Sequence, residues 1–210
     1  MEAQFEREGL EVEFIEGYNA REQKPMLENP IFIGDYGNLM SLRRVFEDVV
    51  KNDHPLALVF EDTVSLDTEF NSKLQAIKLP DRWDLVYLGY LMPIKYVEYS
   101  DTLVRGKALG TWAFLVSLEA AKKILAFDPV DHWITLDVHL SLMPLRTFYT
   151  KEKLAIRNKS LKTIGGATFL DRNSIRPLTI SHFIQWFPVL EVLFFTLVII
   201  FLVRLGIIRL

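Results

Sequence analysis

Cysteine is absent from this 210-residue chain, which excludes a disulfide framework, a thiolate zinc site and a cysteine nucleophile. A reducing compartment fits that composition. Surplus positive charge is absent too. The 24 Lys and Arg stand against 27 Asp and Glu, for a formal net charge of -3 and a pI of about 5.8. No broad cationic surface is left for neutralising a run of phosphates, so nucleic acid is not an expected partner. Internal repeats, low-complexity blocks and Gly/Ser linkers are missing as well. Residues 1–20 lack the basic start and apolar centre of a secretion signal, so export from that end is not expected.

What is present suits one domain with a short appendage. Half of the residues are hydrophobic and 12% are aromatic, enough apolar surface to fold on and more than a disordered chain carries. The appendage is the tail. From Val192 to Val203 the run VLFFTLVIIFLV carries no charge, and a snorkelling Arg204 extends it to Ile208. As a helix this stretch is about 25 Å long, slightly short of a ~30 Å hydrocarbon core. Trp186 and Phe187 stand where an interfacial anchor belongs, and Glu191 marks the near edge. A buried or interfacial C-terminal helix is the alternative. We therefore expect a domain over 1–180 and a transmembrane or membrane-anchoring helix over 187–210, with the domain on the cytosolic side of the membrane.

Within 1–180, short apolar runs alternate with helical periodicity, which favours an α/β fold with a largely parallel sheet. Residues 1–10 read as a helix stopped at Gly9, and 10–15 alternate like a strand. Leu39, Leu42, Val45, Phe46, Val49 and Val50 share one helical face. LALVF, Leu56 to Phe60, reads as a strand buried on both sides. Further strands are expected at 84–88 and 112–117, the latter running into a helix over 118–127. Another helix is expected from near Val130 to just before Pro144.

Open parallel sheets bind ligands beyond the carboxyl ends of their strands. Glu61 and Asp62 follow the most apolar strand, where a divalent cation and a diphosphate can be bridged; acids also end strands or cap helices at such places. Asp128, Asp131, His132, Asp137 and His139 form the densest set of ionisable groups. One carboxylate there suits a general base, and acids at a helix start also suit the macrodipole. Gly34 and Gly37 bracket a turn into a helix and can admit a phosphate to backbone amides, although a tight helix entry explains them equally well. Gly165-Gly166 lacks the spacing of a phosphate loop, and no Gly-x-Ser-x-Gly turn is present.

Five segments, in order, resemble the family 25 glycosyltransferases, which include the lipooligosaccharide and collagen galactosyltransferases. GDYGNLMSL (34–42) is similar to the family's Gly-x-x-Gly-Cys-x-x-Ser-His helix entry, and LALVFED (56–62) to the strand leading into its Glu-Asp-Asp motif. WDLVYLG (83–89) resembles the next strand. GTWAFLVSLEAAKKIL (110–125) and PVDHWI (129–134) resemble the late strand, helix and Pro-x-Asp segment. The resemblance implies a GT-A-like fold, a UDP-sugar donor, commonly UDP-galactose, Mn²⁺ at the diphosphate, and a glycan, lipid-linked saccharide or protein acceptor. It places Glu61 and Asp62 at the metal and diphosphate, Gly34, Gly37, Gly110 and Thr111 on the donor side, and Asp131 as the catalytic carboxylate.

Three residues depart from the family pattern. Thr63 stands where the motif's last acid belongs, Asn38 replaces the Cys and Leu42 the His. The resemblance further implies a start inside the first family helix, without the opening strand and basic loop. Asp67 and Asp137 are candidates to replace the missing acid. A transferase-like binding or scaffolding protein without catalysis, anchored by its tail, is the second expectation.

Overall fold

The computed structural model describes residues 2–23, 33–126 and 135–158, all within one compact unit spanning 1–168. In chain order the helices and strands are α1 (Glu2–Arg7), α2 (Ala20–Gln23), α3 (Ile33–Lys51), β1 (Leu56–Phe60), β2 (Val64–Leu66), α4 (Phe70–Gln75), β3 (Leu85–Gly89), β4 (Met92–Glu98) and β5 (Leu103–Leu109). They are followed by β6 (Ala113–Ser117), α5 (Leu118–Ala126), α6 (Leu136–Leu142), β7 (Thr147–Thr150) and β8 (Ala155–Arg157).

Six strands form the main sheet in the order β1-β6-β3-β7-β5-β4, and β2 pairs with β8 in a small second sheet. The expected largely parallel sheet is corrected here. Among the described strands only β3 and β7 run parallel. The β1–β6, β3–β6, β5–β7 and β4–β5 pairs are all antiparallel. Alternating apolar runs report where strands lie, whereas direction depends on which strand becomes the neighbour, a non-local outcome. The β4–β5 hairpin, unread in the sequence, supplies two of the antiparallel pairings.

Burial explains a second correction. β1 is an edge strand, with Leu56 45% exposed and only Val59 fully inside, because a single neighbour and a half-covered face surround it. Like its neighbour β7, β3 at the centre of the sheet is buried on every residue. Its side chains alternate between two cores, as the pleat requires. Leu85 and Tyr87 join Leu39, Leu42, Phe46 and Val49 of α3, Ala120, Ala121 and Ile124 of α5, and Leu136 and Leu140 of α6. Val86 and Leu88 join Phe5, Val64, Phe70, Leu154 and Ala155 on the other face. Residues 10–15, expected as a strand, run as irregular chain along that second layer.

Several helix expectations are met. α1 ends at Gly9, whose φ is +65°, with the Leu10 amide donating back to the Phe5 carbonyl at 2.9 Å. α3 contains the expected apolar face and begins earlier, so Gly34 and Gly37 sit inside its first turns. Asp84, just before β3, is wholly buried. It accepts hydrogen bonds from the Arg146 amide (2.7 Å), Arg146 Nε (2.9 Å) and Nη2 (3.0 Å), and Lys123 Nζ (2.7 Å). One carboxylate thereby ties β3 to the start of β7 and to α5. Among the described residues no helix is long and apolar enough to cross a membrane; the tail over 187–210 and the expected boundary at 180 lie outside the described residues.

Candidate active site at the edge of the sheet

The antiparallel pairing of β1 with β6 sets Phe60 opposite Ala113, and Gly89 at the end of β3 also faces Ala113. The residues leaving β1 and β3 therefore meet those entering β6. The Glu61 amide donates to the Trp112 carbonyl at 2.9 Å. The Thr111 hydroxyl, on a residue only 3% exposed, donates to Glu61 Oε1 at 2.7 Å. Asn38, one turn into α3, hydrogen-bonds the same carboxylate, and Arg157 acts on it through its charge. Burial nonetheless outweighs these partners and pushes the Glu61 carboxyl up.

Gly110 shapes the turn between β5 and β6. Its φ is +87°, and a side chain there would bring a Cβ to 2.7 Å from the Leu91 amide nitrogen. Both facts call for glycine. The Gly110 amide donates to Asp137 Oδ2 at 2.9 Å. Asp137 opens α6, where its Oδ1 accepts the Val138 amide at 2.9 Å and the Thr135 hydroxyl. Asp137 was a candidate replacement ligand; in the folded chain it holds the Gly110 turn.

Two buried polar atoms near this carboxylate have no hydrogen-bond partner among the described residues, Asp35 Oδ2 on α3 and the Tyr87 hydroxyl on β3. Burial first, and then the Asp137 charge, push the Asp35 carboxyl up to about 7. The same two causes raise the Tyr87 hydroxyl. α3, β1, β3, α6 and the 110–111 turn thus bring Asp35, Asn38, Glu61, Tyr87, Thr111 and Asp137 toward one edge.

The expected site residues separate into three groups. Glu61, Gly110 and Thr111 come together. Gly34 and Gly37 lie in the helix itself rather than in a loop before it; a Cβ at Gly37 would stand 3.0 Å from the Tyr18 carbonyl oxygen, so close packing of the chain accounts for this glycine. Asp62 is exposed, and Asp131 lies outside the described residues. Asp67, the other replacement candidate, bonds the Glu69 amide (2.9 Å) and Lys73 (3.1 Å) instead. Asp35 and Tyr87 were missed: Asp35 sits inside the quoted 34–42 segment, but nothing in its spacing distinguishes it from a solvated helix acid.

Among the described residues the donor set does not fit a divalent cation. Among the described residues no three acidic or histidine groups gather as a metal-holding set. Glu61 already receives Thr111 and Asn38, and its burial favours the neutral form. Thr63 is buried and offers no carboxylate; its carbonyl accepts the Asn158 amide at 2.6 Å.

A mixed sheet with helices α3, α5 and α6 on one face, and a polar site where the ends of β1 and β3 meet the start of β6, fits a GT-A-like transferase fold. The comparisons agree. The chain resembles family 25 glycosyltransferases over about two thirds of its length. It is 28% identical over 141 residues to a glycosyltransferase 25 family member of Aedes aegypti, covering 63% of this chain and 23% of the relative. A probable inactive glycosyltransferase 25 family member 3 of Bos taurus is 32% identical over 146 residues, 64% of this chain and 24% of the relative. Human procollagen galactosyltransferase 2 is 26% identical over 174 residues, 77% and 27% respectively. The chain spans about a quarter of the length of these curated relatives. No protein-family model matches it.

Proposed function

We propose that this chain acts in sugar transfer from a UDP-sugar, with galactose as the sugar, to a hydroxyl of a glycan, a lipid-linked saccharide or a protein. The observation that carries this reading is the junction of Glu61, Thr111, Asn38 and the Asp137-held Gly110 turn at one sheet edge. In the transfer, the acceptor oxygen bonds to the anomeric carbon while the bond from that carbon to the diphosphate oxygen breaks. UDP leaves with the electron pair. The hydroxyl proton passes to a carboxylate, for which Asp131 is the group the resemblance offers.

The tail over 187–210 tethers the domain to a membrane in this reading, on the cytosolic side, raising the local concentration of a membrane-bound acceptor. Carbonate extraction of the full chain should leave it with the membrane, while a chain ending at Gln185 should be released; equal solubility removes the tether. Donor binding is tested by calorimetric titration with UDP and UDP-galactose. Heat of binding in either titration supports the reading, and silence in both, with and without Mn²⁺, sinks it.

A second reading has its own support. Thr63 in place of the motif's last acid, the absence of a three-acid group among the described residues and relatives named as inactive favour a transferase-like scaffold without turnover. Nucleotide binding without sugar transfer to any acceptor separates it from the first.

A further inference from the structure

The edge where the described residues gather no metal-holding set carries two cations. Lys153, between β7 and β8, donates from Nζ to the Leu91 carbonyl at 2.9 Å. Its ammonium lies 4.9 Å from the Tyr90 ring centroid and 5.9 Å from that of Trp112. These contacts place it beside the Gly110–Thr111 turn, since Leu91 is the residue that turn packs on and Trp112 is the next one in the chain. Arg157 ends β8, opposite Val64, whose amide donates to the Glu61 carbonyl at 3.2 Å, and the Arg157 charge acts on Glu61. One positive group therefore stands beside the Gly110–Thr111 turn and a second beside the chain that carries Glu61.

We propose that Lys153 and Arg157 hold the diphosphate of a nucleotide-sugar donor directly at this edge, in place of a divalent cation. The inference rests on the donor reading above and assigns its diphosphate subsite. An ammonium with one carbonyl acceptor keeps two further N–H donors for phosphate oxygens, and a guanidinium offers a planar fork that matches them in pairs. The Tyr90 and Trp112 rings beneath Lys153 limit the directions its ammonium can take, so less freedom is lost when an anion arrives. Glu61, engaged by Thr111, serves here to fix the turn.

The test is calorimetric titration of the full chain in detergent with UDP and with uridine, first in EDTA and then with Mn²⁺. UDP should bind in EDTA, with Mn²⁺ changing the affinity by less than about threefold. Lys153→Met and Arg157→Gln should each weaken UDP by roughly tenfold or more, as expected for loss of a charge-assisted phosphate contact, while leaving uridine unchanged. Lys153→Arg should restore most of the loss. Melting curves show which variants fold, and Arg157→Gln, on the short strand β8, keeps the test open where Lys153→Met unfolds. UDP binding that appears only with Mn²⁺ overturns the inference and leaves the donor reading standing, as does UDP binding in EDTA that both variants retain. Silence toward UDP under every condition overturns the two together.

Discussion

The two ends of β3 treat buried charge in opposite ways. At its start, the Asp84 carboxylate accepts four hydrogen bonds from Arg146 and Lys123. Burial alone would raise its pKa, but these partners hold it well below the usual carboxylate range. At its far end, Asp35 faces the Asp137 charge, and Asp35 Oδ2 and the Tyr87 hydroxyl have no partner among the described residues. A satisfied charge stabilises a fold; an unsatisfied polar group costs stability and persists where a site requires it. The contrast separates the end that holds the protein together from the end where the donor site is proposed.

The largest effect that sharpens this comparison belongs to Asp84. Asp84→Ala leaves Arg146 and Lys123 facing a buried void and should cost about 3–5 kcal/mol, read by denaturant unfolding. Because the folded pKa of Asp84 is depressed, its contribution is complete above the unfolded value near 4 and disappears as pH falls through the folded value. Nucleotide affinity of the remaining folded fraction should not move; a selective loss of UDP binding would erase the division between the ends.

Gly110→Ala comes next. The side chain meets the Leu91 backbone at a positive φ, so a loss of roughly 1–3 kcal/mol is expected. Here UDP binding should weaken more than stability falls, because the turn carries Thr111 against Glu61. A melting temperature and affinity both unchanged would show that the turn adapts.

Asp35→Asn should act in the opposite sense. With the Asp35 pKa raised to about 7, the folded state binds a proton that the unfolded chain has released, so stability falls as pH rises from about 4 to 7. The amide cannot ionise. Thermal melts should therefore show the variant gaining roughly 1–2 kcal/mol over the parent at pH 8, discounted for the partial exposure of the residue, and little at pH 4. A variant less stable at both pH values would show Asp35 to be a structural acid like Asp84.

The smallest effect is that of Thr111→Val, which removes one buried hydrogen bond to Glu61 and should cost about 1 kcal/mol in chemical denaturation. Val at 111 with no change in either stability or UDP affinity would mean that Glu61 is held by Asn38 alone.

Local signals in the sequence located much of the framework. The stop at Gly9, the apolar face of α3, the run into α5 from β6 and the strands at 56–60 and 85–89 are each visible as composition or period. The hairpin of β4 and β5 was not legible, because Met92, Ile94, Tyr96 and Val97 are exposed and no inward-outward alternation marks the strand. Among site residues, Glu61, Gly110 and Thr111 were found as fragments of a motif. Asp35 and Tyr87 were not, since a helix acid and a tyrosine in an apolar strand look ordinary until their surroundings are known.

By itself, then, the sequence determined part of the framework, α1, α3, β1, β3, β6 and α5, because side-chain period and glycine placement act within a few residues. It also determined which acids follow β1. Tertiary structure alone decided that β6 turns back against β1 and β3, that Asp137 reaches Gly110, that Lys153 reaches Leu91 and that Arg157 acts on Glu61. Those outcomes depend on residues 24 to 96 positions apart being brought together by the burial of two cores, and no local pattern encodes such a meeting.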